Sequence, residues 1–356
     1  MFLLASFLSL FTAAFSLSCL DDKGQSTDSW TILKAPKTGD SFLYATGTED
    51  LYAPSYSLND TTQGALSFTL NQLWEADTNY VLFNDEPPNV SGYNFTVGHT
   101  KGILAMDSDA QTGFYIVHSF PQWPLGPGGT KSSRSQTSYG GLSSNLWTYG
   151  QNAYCVSVLA KTIDTMAYAF QLTVPYIYDT RLSTTVMNTL PNVTALVKGT
   201  YSTAAICANH PFTSVGGKPY ILFSKSTQWN KDLWSSCVAP YVKKDLVVES
   251  WIRGSAIGPS CSGAYEVLDA SEISFSTEFT WTLAPKMVRG KYIQTNVFEW
   301  SEYNDHSKWA TSTDGKITCH GDINRMTTQF VRGGGGLCFQ SSGYNLEKSI
   351  TKENSC

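Results

Sequence analysis

Five histidines occur in the 356 residues, and two of them stand in matching surroundings. His99 lies in GHTKGILAMD and His306 in DHSKWATSTD, so that His99-x-Lys101-x5-Asp107 is repeated as His306-x-Lys308-x5-Asp314 about 200 residues later. One His-x-Lys would carry no information, but a matched pair among so few histidines does. On an extended strand, side chains two residues apart share a face, which would bring imidazole and ammonium to one small volume. Two such pairs facing each other would place two imidazoles and two fixed positive charges around a phosphate. One imidazole can then attack phosphorus to form a covalent phospho-histidine while the other protonates the leaving oxygen. The lysines stabilise charge on the non-bridging oxygens. Because the protein supplies the positive charge, this scheme needs neither metal nor cofactor.

Each motif has a downstream companion: His118 follows His99 by nineteen residues and Asn324 follows His306 by eighteen. Either is a candidate to donate hydrogen bonds to the phosphate from the floor of a site. The remaining polar candidates have plainer readings. His210, in NHPF, has no partner motif and reads as a loop or packing residue. His320, next to Cys319, reads as structural in preference to catalytic. Lys225, followed by Trp229 and Trp234, is more simply a surface lysine over core aromatics than a phosphate contact. The glycines of VRGGGG (331–336) lack the Lys-Ser/Thr of a phosphate-binding loop, and read as a flexible or tightly turning segment required near the site and close to DNA. No Ser-His-Asp, HExxH or EF-hand pattern competes.

The elements that must position these residues read as mixed α/β with strands dominating. Apolar runs at 102–107, 113–120, 154–160 and 219–224 have strand length, and 245–252 and 273–283 alternate in part, as half-buried strands do. Helix signals are fewer, and 130–145 reads as a polar loop. A boundary between two halves falls most naturally near residue 200, in the small and polar stretch between Asn192 and Cys207. This gives a first half, 19–200, carrying His99 and Lys101, and a second, 201–356, carrying His306 and Lys308.

Compartment follows from the ends of the composition. Residues 2–17 form an uncharged apolar run, too short to be a comfortable anchor, with Ser16 and Ser18 available for cleavage; residues 1–18 therefore read as a signal peptide. No later stretch approaches the ~20 apolar residues of a membrane helix, so no membrane anchor is expected. Sequons at Asn59, Asn89, Asn94 and Asn192 fit glycosylated surface loops. Eight cysteines without a C-x-x-C pair fit up to four disulfides in an oxidising compartment. The formal net charge of −5 argues at first against a nucleic-acid partner. An enzyme that must release its product needs no basic surface, however, and five histidines with some carboxylates gain protons in an acidic compartment.

The paired motifs resemble the phospholipase D superfamily, in which two similar halves meet across a pseudo-two-fold and each lends a His-x-Lys. GHTKG (98–102), IVHSF (116–120), TYGQNAYCVS (148–157), DHSKW (305–309), CHGDINR (319–325) and RGGGGLC (332–338), with FNDEPP (83–88), resemble in order the blocks of the deoxyribonuclease II family. That resemblance covers nearly the whole mature chain. It implies an acid-active, metal-independent endonuclease that cuts double-stranded DNA to 3′-phosphate and 5′-hydroxyl ends. It implies His99, Lys101, His306 and Lys308 as the catalytic set, with His118 and Asn324 in support and His99 favoured as nucleophile. It also implies the disulfides Cys19–Cys155, Cys261–Cys356 and Cys319–Cys338, leaving Cys207 and Cys237 free to pair with each other or not. A secreted or lysosomal location follows. The alternative is a secreted, catalytically silent member of the family that binds DNA or a host protein.

Overall fold

A computed structural model describes residues 17–356, apart from 48, 91–95, 108, 110, 129–135, 282–291 and 342–345. Most of the expected leader and the Asn94 sequon lie outside the described residues. Two sheets carry the chain. The first is built from β1 (Ser29–Lys34), β2 (Phe42–Thr46), β3 (Asn79–Phe83), β4 (Gly102–Met106), β5 (Thr112–His118), β6 (Gln151–Leu159) and β7 (Ile177–Arg181), in the order β2-β1-β6-β5-β4-β3-β7. Helix α1 (Ala65–Asn71) precedes β3, and α2 (Ala160–Thr173), α3 (Thr184–Thr189) and α4 (Pro191–Val197) flank β7.

The second sheet uses β8 (Cys207–Thr213), β9 (Pro219–Lys225), β10 (Leu246–Glu249), β11 (Val267–Trp281), β12 (Tyr292–Ser301), β13 (Trp309–Ser312), β14 (Ile317–Gly321) and β15 (Gly334–Gln340). Its order is β8-β9-β15-β14-β13-β10-β11-β12, with β16 (Ile350–Glu353) paired to β11. All first-sheet strands thus precede residue 182 and all second-sheet strands follow residue 206. The strand-rich mixed α/β class read from the sequence is the class observed.

Alternation explains how the sheets stack. In the first sheet Tyr80, Leu82, Ile103, Ala105, Phe114 and Ile116 face one core. Their neighbours Val81, Phe83, Leu104, Met106, Tyr115 and Val117 face another, which they share with Tyr220, Leu222 and Leu337 of the second sheet. Period-two alternation with both faces buried gives the unbroken apolar runs seen in the sequence. A third cluster, joining Leu33, Leu43 and Ala45 to Val247 and Trp309, continues the layer between the sheets. Tyr154 stacks on His320 at 5.0 Å across that layer, so His320 is a packing histidine, as its sequence context suggested. His210 lies on β8, edge-on to Tyr168.

Helix α2 is the main element the sequence reading passed over. Ile163, Met166, Ala167 and Phe170 are buried at helical spacing, but the helix starts directly on the last residue of β6 with no side-chain cap. The apolar run therefore shows no punctuation where the strand becomes a helix. The glycine-rich segment also differs from expectation. Gly334–Gln340 is a central strand, not a flexible turn. Its glycines serve close approach: a Cβ on Gly333 would fall 2.2 Å from the carbonyl oxygen of Thr173, at the end of α2, and one on Gly98 would fall 1.9 Å from the same atom. That helix terminus packs against the backbone on either side of the His99 motif, where only glycine fits.

Four disulfides close the chain: Cys19–Cys155, Cys207–Cys237, Cys261–Cys356 and Cys319–Cys338. The last ties β14 to β15 directly beside the second motif. Among the described residues no helix is long and apolar enough to cross a membrane. Asn89 is exposed and Asn59 half-buried, whereas the Asn192 amide is held by Asp164 at 2.7 Å within α4.

Candidate active site

The strand after each His-x-Lys opens a hairpin, and the two hairpins sit alike in their sheets. The order β1-β6-β5-β4-β3 matches β9-β15-β14-β13-β10, with every neighbouring pair antiparallel in both. The motif aspartates close these hairpins and take no part in the site. Asp107 accepts from the amides of Gln111 and Thr112 at 2.8 and 3.0 Å. Asp314 accepts from Ser312 and from Lys244 at 2.7 and 2.6 Å.

His99 and Lys101 stand just before β4, and His306 and Lys308 just before β13, rather than on strands as expected. Each motif has left its own sheet to bond with the other. The His99 amide donates to Gly333 O at 2.8 Å, and the His306 amide donates to Gly150 O at 2.9 Å. His99 Nδ1 bonds the carbonyl of Asp322, the residue after β14. His306 Nδ1 lies 3.1 Å from the carbonyl of Ser119, the residue after β5, and 3.2 Å from Gln151 Oε1. The reciprocity extends one step further: the Lys101 amide donates to Asp322 Oδ2 at 3.3 Å and the Lys308 amide to Asn152 Oδ1 at 2.7 Å. A carbonyl can only accept, so both rings carry their proton on Nδ1 and leave Nε2 as the free nitrogen.

Both histidines line one cleft, of about 330 Å³, together with Glu86, Tyr149, Gln151, Trp251, Arg253, Asn324, Gln329 and Arg332. The lysines do not line it. Lys101 is fully buried behind His99 in an ion pair with Asp85, whose other oxygen takes Arg332 at 2.9 Å. Lys308 is fully buried behind His306, with its ammonium on the carbonyl of His306. The two ammonium groups therefore sit behind the cleft rather than in it.

The companions separate. Asn324 lines the cleft, and its Oδ1 is buried with no hydrogen-bond partner among the described residues. His118 is the last residue of β5, paired to Ala153, and its ring lies edge-on to Trp123 at 4.7 Å in the core rather than in the cleft. The equivalent positions are instead Ser119 and Asp322, one residue beyond each second hairpin strand. The different turn lengths of the two hairpins hide this in the sequence offsets.

Burial governs the charges. It pushes His99 well below the ordinary histidine value, and Lys101 adds to this. His306 is pushed down by burial and then by Lys308, Lys101 and His99. Lys308 is lowered to about 7 by burial and the charge of Lys101. Asp322 is raised to about 7 by burial. Burial alone would raise Asp85, but Lys101, His99 and Arg332 outweigh it and hold the carboxyl below the usual carboxylate range.

Several residues here escaped the sequence reading. Asp85, Gln151, Asn152, Asp322 and Arg332 all lie in the recognised blocks, yet nothing in a single sequence says that they converge. Lys225 is not a surface lysine: it is buried, donating to the carbonyls of Phe330 and Arg332 at 2.8 and 2.6 Å, and so fixes the lead-in to β15. Lys34, also buried, binds the carbonyls of Trp147 and Tyr149 at 2.9 and 3.0 Å, next to Gly150.

The family model for deoxyribonuclease II matches residues 18–356, nearly the whole chain. This chain belongs to the deoxyribonuclease II family. It is 29% identical to the deoxyribonuclease-2-alpha of Mus musculus, over 97% of this chain and 94% of the relative. It is 30% identical to that of Rattus norvegicus, over 93% and 91%, and 28% identical to the deoxyribonuclease-2 of Caenorhabditis elegans, over 96% and 94%. The cleft at which the two His-x-Lys motifs meet is thus the candidate active site of a deoxyribonuclease II family member. Among the described residues, no group of three or more His, Cys, Asp or Glu side chains is arranged to hold a metal ion.

Proposed function

We propose that this deoxyribonuclease II family hydrolase is an acid endonuclease for double-stranded DNA, working through a phospho-histidine without divalent metal, at a phospholipase D-like interface between its halves. The observation that carries the reading is the reciprocal anchoring of His99 and His306, each by the opposite sheet, with both Nε2 atoms left for the cleft.

A scissile phosphate between them is attacked by Nε2 of one histidine in line with a leaving oxygen protonated by Nε2 of the other. In this reading His99 is the nucleophile and His306 the acid; burial and the neighbouring lysines push both imidazoles below the ordinary histidine value. If the 5′-oxygen leaves, His99 holds the 3′-phosphoryl, and water activated by His306 releases a 3′-phosphate beside a 5′-hydroxyl. Lys101 and Lys308 stabilise the added charge from behind the rings, and the Asn324 amide faces the same space. Four disulfides fit a secreted or lysosomal site of action.

The test is plasmid cleavage at acid pH in excess chelator, comparing the native chain with His99→Ala and His306→Ala. Cutting by the native chain alone supports the scheme. A well-folded native chain that binds DNA without cutting it would make this a silent binding member of the family.

A further inference from the structure

The two halves of the cleft are not charged alike. On the His99 side the guanidinium of Arg332 is committed to Asp85 and to the carbonyls of Val97 and Gly98. On the His306 side Arg253 also lines the cleft, is exposed, and forms no ion pair with a carboxylate among the described residues. Its guanidinium lies over two rings at once, 4.9 Å from the centroid of Tyr149 and 5.1 Å from that of Trp251. Nε donates to the carbonyl of Tyr303 at 2.8 Å and one terminal nitrogen to the Tyr149 hydroxyl at 3.0 Å. Trp251 in turn stands edge-on to His306 at 5.2 Å. One indole therefore separates a fixed cation from the imidazole that serves the scissile bond.

The turn that carries Arg253 is built in. Ala256 bridges to Met326, the amide of Ile257 donates to Arg325 O at 3.2 Å, and that of Thr327 donates to Ser255 O at 2.9 Å. Arg325 itself is buried in an ion pair with Asp269. A long, flexible side chain has thus been immobilised between rings, on a braced turn, with a terminal nitrogen left over. An exposed arginine held this way needs little further ordering to bind an anion, and a planar guanidinium matches the oxygens of a phosphodiester.

We propose that Arg253, held by Tyr149 and Trp251, binds a phosphodiester neighbouring the scissile one on the His306 side of the DNA strand. This rests on the nuclease reading and adds to it a positioning subsite that engages only polymeric substrate. In a chain of net charge −5, such a subsite would hold the backbone locally where a basic surface is lacking.

The experiment uses the full chain. Duplex DNA binding is titrated over a salt series in a His99→Asn background, so that the duplex is not consumed, with and without Arg253→Gln. Loss of one phosphate contact should lower the slope of log affinity against log salt by about 0.9, with roughly tenfold weaker binding. Arg253→Lys, which keeps the charge, should restore most of the slope. In the otherwise native chain, Arg253→Gln should reduce kcat/KM for duplex DNA roughly tenfold more than kcat/KM for bis(4-nitrophenyl) phosphate, which has a single phosphate. An unchanged salt slope, or equal losses on both substrates, would overturn the subsite. A native chain that cuts neither substrate would instead sink the nuclease reading, while the binding slopes still decide the role of Arg253.

Discussion

The backbone amide of His99 donates to the carbonyl oxygen of Gly333 at 2.8 Å, although the two residues lead into strands of different sheets. The His306 amide likewise donates to the carbonyl oxygen of Gly150 at 2.9 Å. Neither half completes its own histidine. The orientation of each imidazole depends on a carbonyl that the other half places, Asp322 for His99 and Ser119 for His306. A site built this way assembles only when the sheets dock, and its geometry is then set by residues at the ends of strands.

Replacement of either histidine by alanine should abolish turnover, by at least about a thousandfold, while near-ultraviolet circular dichroism stays native. The two losses differ in kind. With His306→Ala and a diester carrying a good leaving group, a phosphoryl adduct should accumulate on His99 and be visible by mass spectrometry of peptides quenched and kept in alkaline denaturant. An adduct on another residue would remove His99 from the role of nucleophile.

The rate should follow an acid-side bell. Catalysis needs one neutral and one protonated imidazole, and burial pulls both histidines below their ordinary value. As pH rises toward neutrality the imidazolium is lost, and as pH falls far enough both rings are protonated and the nucleophile is lost. Lys308, at about 7, is charged throughout the acid range and discharges as neutrality is passed. A kcat/KM that climbed steadily through pH 8 would contradict this assignment. Excess chelator should leave the acid rate unchanged, and metal-dependent recovery after chelation would defeat the metal-free scheme.

Asp85→Asn should destabilise the fold by about 3–5 kcal/mol, because it strands the buried ammonium of Lys101 and the guanidinium of Arg332 without a counter-charge. Denaturant titration checks this. Losing less than about 1 kcal/mol would mean that the ion pair is not what holds these cations in place.

Glu249, on β10, is fully buried, and neither of its carboxyl oxygens has a hydrogen-bond partner among the described residues. Burial raises it well above the ordinary glutamate value, and Asp305 and Glu302 add to this. The folded chain then holds the carboxyl protonated to higher pH than the unfolded chain does, which costs stability above the unfolded pKa and little below it. Glu249→Gln should therefore raise the melting temperature by a few degrees at pH 7.5 and change it little at pH 4. An equal shift at both pH values would show that packing, not ionisation, is responsible.

By itself the sequence determined which residues to look for at a candidate site and the strands that deliver them. The repeated His-x-Lys spacing singled out His99, Lys101, His306 and Lys308, and alternating or continuous apolar runs marked β4, β5, β6 and β9 to within a few residues, because strand periodicity and motif spacing are local properties. What only the tertiary structure decided is which atoms meet. The lysines lie behind the imidazoles, His118 turns into the core while Ser119 and Asp322 hold the rings, and a run of glycines becomes a central strand packed near the end of α2. Asp85, Gln151, Asn152, Arg253 and Arg332 reach the site or the cations behind it from turns and strands far apart in the chain. Their roles come from the docking of two sheets, and no spacing along a single chain encodes a contact between residues more than 200 positions apart, such as that of Arg332 with Asp85.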